Sequence, residues 1–259
     1  MLGMVPQSVK ALVFCISTPT IKTRVHFYPS AGSSTGHHSI ACLFTLFGKG
    51  IEKRSVLLDG GRLNQPDGVR LEDAFPHLRT EASGIFGLEI ELSCQQGRIP
   101  LQSSLAAVEL VSAQSTVMYM SVPFSPVGVD PSALEKAGVD GQAAAPRRQS
   151  FMGIGLQDSA FSTSLVMINS SGESVRPAIS HRSGEHAVPL QVGTLAADSA
   201  MEIPLEDSLF KESVPHECVW GLARAEKVSV DANSITPETA YYLMYRDAAT
   251  KRPLSVCAL

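Results

Sequence analysis

Charge of one sign, long apolar runs and paired cysteines are all scarce in this chain of 259 residues. Lys and Arg number 21 against 25 Asp and Glu, a formal net charge of -4. There is no basic excess to hold a phosphate backbone or an anionic lipid surface, so no nucleic-acid partner is expected. No stretch reaches the roughly 20 apolar residues of a membrane span. The most apolar N-terminal run, Ala11 to Ile16, is too short for a secretory core region. The expected location is the cytoplasm. The five cysteines (Cys15, Cys42, Cys94, Cys218 and Cys257) are odd in number and scattered, with no C-x-x-C. That pattern argues against a disulfide framework or a zinc knuckle and for reduced, buried thiols. Cys257 stands third from the end, where a prenylation box needs it fourth.

What the chain does have is hydrophobic content, 44% of residues against 18% charged. It can therefore bury a core. The dominant period is two. Ile21, Thr23, Val25 and Phe27 alternate with Lys22, Arg24, His26 and Tyr28, and Leu88, Ile90 and Leu92 alternate with Glu89 and Glu91. This is the pattern of strands with one buried and one wet face. Val188, Leu190, Val192 and Met201, Ile203, Leu205 repeat it. Ile40 to Phe47 and Leu165 to Ile168 are continuously apolar, which predicts strands covered on both faces. Gly/Asn/Asp/Ser turns separate these runs at about ten-residue spacing, the signature of an all-β sandwich or barrel.

One segment lacks strand periodicity. Asp130 to Gly138 predicts a short helix, with Pro131 in its first turn, and Gly141 to Ser150 reads as a linker. The expected organisation is thus two tandem β-sandwich domains, residues 1–126 and 151–259, joined by a linker with a short helix at 127–150. The two sides also look alike. Val69-Arg70-Leu71-Glu72-Asp73 matches Ile203-Pro204-Leu205-Glu206-Asp207, and Ile85-Phe86-Gly87-Leu88 matches Val219-Trp220-Gly221-Leu222 at the same offset. Val117-Met118-Tyr119 matches Leu243-Met244-Tyr245 at a shorter one. An internal duplication is expected on this basis. In it, Asp73 and Asp207 cap a single helical turn, Phe75 plugs the sandwich end, and Gly87 admits a bulge or a close approach.

Candidate chemistry is thin. Gly32-Ser33-Ser34-Thr35-Gly36 matches G-x-S-x-G, but a nucleophile elbow needs a helix to follow, and here a strand does. Ser34, with His37 or His38 as base, is the hydrolase-like candidate at 32–38. His38 and Cys42 share a strand face and offer two metal ligands where a structural zinc wants four. Tyr241 and Tyr245, beside Arg246, form a candidate aromatic strip for a sugar or a protein. The competing view of that strand is ordinary core packing. No cofactor is expected, and a small-molecule ligand is not specified.

The segment Ser164 to Asn169, a Gly turn, Ser183-Gly184, then Ala200 to Leu205 with an acidic residue, and Tyr241 to Asp247 near the end, resembles the bacterial sensory-rhodopsin-transducer family of small β-sandwiches. The similarity covers about residues 161–250 and, more faintly, 38–124. It implies an oligomeric, non-enzymatic binding or signalling role and carries no site residues with it. The expected function is accordingly a binding or assembly module acting on a protein partner or on itself. Val9 to Ile16 and Leu254 to Leu259 are expected to complete a sheet in a neighbouring subunit. The alternative is a carbohydrate-binding or hydrolase-like protein using the 32–38 loop.

Overall fold

The computed structural model describes residues 8–27, 40–58, 60–63, 65–79, 83–94, 106–121, 125–127, 151–157, 160–183, 186–205, 215–218 and 221–259. The chain is all-β, as its alternation predicts. Its strands, numbered along the chain, form four antiparallel sheets. Sheet one runs β4 (Ile51–Leu58), β3 (Ile40–Gly48), β6 (Gly84–Cys94), β1 (Ser8–Ser17), β9 (Ser125–Pro126). Sheet two runs β5 (Val69–Arg70), β2 (Ile21–Phe27), β7 (Ala106–Ser112), β8 (Thr116–Met120). Sheet three runs β14 (Ser199–Pro204), β11 (Phe161–Asn169), β17 (Thr239–Asp247), β18 (Pro253–Ala258). Sheet four runs β10 (Phe151–Gln157), β16 (Gly221–Val230), β12 (Ile179–Ser183), β13 (His186–Pro189), with β15 (Pro215–Cys218) also on β16.

β11 and β17, at the centre of sheet three, are covered on both faces, which is why the run Leu165 to Ile168 is apolar without interruption. Leu165, Met167, Tyr241 and Leu243 pack with Ile179, Val228 and Val230 of sheet four. Their neighbours Val166, Ile168, Ala240, Tyr242 and Met244 belong instead to the core of the first half, with β1, β3 and β6. The two halves therefore share one hydrophobic cluster. Gly87 is one point where they meet. A Cβ there would stand 2.3 Å from Phe47 Cε2 and 3.0 Å from Ile168 Cγ2. Only a residue without a side chain lets these two groups close over β6.

The free edge of β1 is the second feature of the join. β1 pairs with β6 along its whole length on one side. On the other side β9 covers only Val9 and Lys10, and the backbone groups of the even-numbered residues face outward. The carbonyls of Ser8, Leu12, Phe14 and Ile16 are each met from elsewhere. Ser8 O accepts from Val127 N at 3.0 Å. Leu12 O accepts from the Tyr242 hydroxyl at 2.6 Å, and Phe14 O from the Tyr119 hydroxyl. Thr23 Oγ1 donates to Ile16 O at 2.7 Å and accepts from Ile16 N at 2.9 Å. The rings of Phe14, Tyr119 and Tyr242 pack together, with centroids 4.8, 5.3 and 5.5 Å apart. They come from sheets one, two and three. The expectation that Val9 to Ile16 completes a neighbour's sheet is thereby corrected: this edge is closed from within.

Around the join lie polar contacts between the halves. Lys53 Nζ reaches Asp198 Oδ1 at 2.7 Å and Ser170 O at 3.3 Å. Ser170 Oγ lies 3.4 Å from Glu89 Oε2, which also takes Lys10 Nζ at 3.4 Å.

Other expectations divide. Leu71–Ala74 does form one helical turn and Phe75 is buried in the shared core. Asp73, however, is no cap. Arg70 holds the cap position without a side-chain hydrogen bond, and Asp73 pairs with Arg79 at 2.5 Å. Val188 is exposed rather than core-facing, since β13 is an edge strand. Sheet pairing does not confirm a tandem duplication. The Val117–Tyr119 strand is an edge, while its counterpart at Leu243–Tyr245 is interior. Residues 206–214, with Glu206 and Asp207, and 128–150, with the expected helix and nearly all of the linker, lie outside the described residues.

Two substitutions test the shared core. Tyr242→Phe leaves the Leu12 carbonyl buried without its donor and is expected to lower stability by about 1–3 kcal/mol. Gly87→Ala forces Phe47 and Ile168 apart and is expected to cost about 1–3 kcal/mol. In urea denaturation both variants should keep a single cooperative transition. Two separated transitions in the wild type would contradict a core common to both halves.

Candidate functional site

The residues singled out from the sequence are not brought together. Ser34, His37 and His38 lie outside the described residues. Cys42 is buried in β3, where burial first and then the nearby Glu91 carboxylate push its thiol well up from the usual range. A metal takes the thiolate, so this environment opposes ligation. Among the described residues no group of three or more His, Cys, Asp or Glu converges.

The tyrosine strip is corrected by its place in the fold. β17 is an interior strand, paired with β11 on one side and β18 on the other. Tyr241 is only 2% exposed and its hydroxyl donates to Ser234 O at 2.7 Å. Burial raises its pKa, against an opposing hydrogen bond with Thr239. Tyr245 is partly buried against the same core, and its phenol is pushed up to about 12 by burial and by Cys257. Arg246 is held by Glu202 through two hydrogen bonds of 2.6 and 2.8 Å, and by Lys251 O at 2.5 Å. These side chains hold sheet three together and present no platform to a ligand.

A different constellation stands on the outer face of sheet two. β2 alternates, so Ile21, Thr23 and Val25 point inward while Lys22, Arg24 and His26 point outward. The flanking strands extend each position into a row. Arg70, Arg24, Glu109 and Met118 sit side by side on β5, β2, β7 and β8. The adjacent row is His26, Ala107, Met120. His26 Nε2 is 2.9 Å from Glu109 Oε2, and Arg24 Nη1 is 3.7 Å from the same oxygen. His26 is seated by Gly68, whose φ is +68° and where a Cβ would stand 2.8 Å from the imidazole ring.

The nearby acids are engaged. Glu109 serves His26 and Arg24. Glu72 takes Lys22 Nζ at 3.3 Å and Ser17 Oγ at 3.4 Å, and Asp73 takes Arg79. Arg70 is exposed and, among the described residues, has no ion pair. It stands directly opposite Arg24, an unfavourable like-charge pairing. Among the described residues, the His26 imidazole is paired with the Glu109 carboxylate. Guanidinium groups bind carboxylate and phosphate oxygens. Sequence reading saw the wet face of β2 but not this site, because Arg70, Glu109 and Met118 join it only through strand pairing.

Gly68→Ala combines a positive φ with a collision against His26, and is expected to destabilise by about 1 kcal/mol or more and to displace the ring; an unchanged imidazole NMR signal would count against the seating. Thiol labelling with mass-spectrometric readout should modify exposed Cys257 in the native protein and reach Cys15 and Cys42 only on unfolding. No family model, no curated protein and no solved structure matches the chain.

Proposed function

We propose that the protein is a non-enzymatic binding or assembly module that works by protein–protein contact through the outer face of sheet two. The observation that carries this reading is the row in which Arg24 and Arg70 are followed by exposed methionine. Met118 is 53% and Met120 43% exposed, on the same face of β8. Arg and Met are enriched at protein interfaces, and Met adapts its shape to a partner at little steric cost. β18 packs against β8. Contiguous exposed apolar groups of this kind mark contact surfaces, whereas scattered ones do not. The similarity to the sensory-rhodopsin transducers supports the same non-enzymatic role.

The double variant Met118→Glu, Met120→Glu tests it. Both side chains are exposed, so stability is expected to stay within about 0.5 kcal/mol per site. Association is expected to be lost, whether with a second copy, seen by light scattering, or with a purified partner, seen by calorimetry. A variant that associates as the wild type does overturns the reading.

A further inference from the structure

We propose that the Arg24–Arg70 pair anchors a carboxylate of an acidic segment in a protein partner, with Met118 and Met120 receiving an apolar side chain beside it. This rests on the reading above and adds the partner's chemistry to it. Arg70 and Arg24 are cross-strand neighbours on one face. Side chains so placed are about 5 Å apart at Cβ, close enough for two guanidinium groups to share one carboxylate.

The chain leaves this pair short of counter-charge. Glu72 and Asp73 are taken by Lys22 and Arg79. Glu109 is shared between His26 and Arg24, and its distance to Arg24 is the long one at 3.7 Å. An incoming carboxylate therefore adds to the partial relief that Glu109 gives Arg24 and supplies Arg70 with the counter-charge that no described side chain gives it. Exposed Arg70 beside Arg24 makes this end of the row locally cationic, which favours an acidic partner.

The row also fixes a spacing. Met118 lies two strands beyond Arg24, with Glu109 between. At about 4.8 Å per strand the apolar contact falls roughly 10 Å from the cationic one. Glu109 repels a second carboxylate from the middle of the row. The face thus selects an acidic group and an apolar group in that order, and discriminates against uniformly acidic segments.

The test uses a fluorescein-labelled Glu-Glu-Gly-Gly-Leu-Leu peptide as probe, followed by anisotropy on the full chain. The expected result is saturable binding that weakens as salt rises, with no binding of the Lys-Lys-Gly-Gly-Leu-Leu peptide. Arg24→Gln together with Arg70→Gln should weaken it roughly tenfold or more. The folded state of that variant is checked by its melting temperature. Arg70→Gln alone should hold or raise it, because a like-charge pairing is removed. Equal binding of both peptides, unchanged binding by the double arginine variant, or no peptide binding while inorganic phosphate displaces nothing and shifts no arginine NMR signal, overturns the proposal. So does phosphate binding alone, which would make the site one for small anions. If the peptide fails while Met118→Glu, Met120→Glu still abolishes association, only this inference falls. If neither pair of substitutions affects association, the module reading falls with it.

Discussion

The outward carbonyls of β1 are buried and must find donors, because an unpaired carbonyl in a low-dielectric interior loses its water without compensation. A sheet edge normally meets this demand with another strand. Here hydroxyls meet it instead: Tyr242 on Leu12, Tyr119 on Phe14 and Thr23 on Ile16. Tyr242 comes from the far half of the chain and packs its ring against Phe14 and Tyr119 as it does so. One contact thereby satisfies the backbone, fills the core and locks the halves. Burial holds the Tyr119 phenol far above its usual pKa, with the neighbouring Tyr242 and Cys15 acting in the same sense. It therefore remains a neutral donor.

From this closure follows the covering of β11 and β17 on both sides. Once Val166, Ile168 and Tyr242 face the first half, the alternate residues Leu165, Met167 and Tyr241 can only face sheet four. That is why β17, rich in tyrosine, buries Tyr241 and Tyr242 and leaves only Tyr245 to Asp247 partly exposed. Its Arg246 is paired with Glu202 across the sheet. Residues that look chemically rich in one dimension are used up by packing in three.

Sheet two has one face on the core and one outward. Its outer rows mix arginine, a histidine–glutamate contact and methionine. No helix among the described residues is long and apolar enough to cross a membrane.

Fold class was legible from the chain itself. Period-two alternation in Ile21–Phe27 and Leu88–Leu92, and the unbroken apolar runs at Ile40–Phe47 and Leu165–Ile168, report face burial directly, because successive strand residues point to opposite sides. Gly87 as a point of close approach and Phe75 as a buried plug were legible too. What lay beyond reach was which strand stands beside which. Burial on both faces says that a strand is covered, not by what, so Tyr241 read as core first and as part of a binding strip second. Arg24, Arg70, Glu109 and Met118 are separated by 46, 39 and 9 positions along the chain and are neighbours only through register. Local sequence determines which way each side chain points, because that depends on the strand's own geometry. Pairing depends on the free energy of the whole arrangement, and only the tertiary structure decided it.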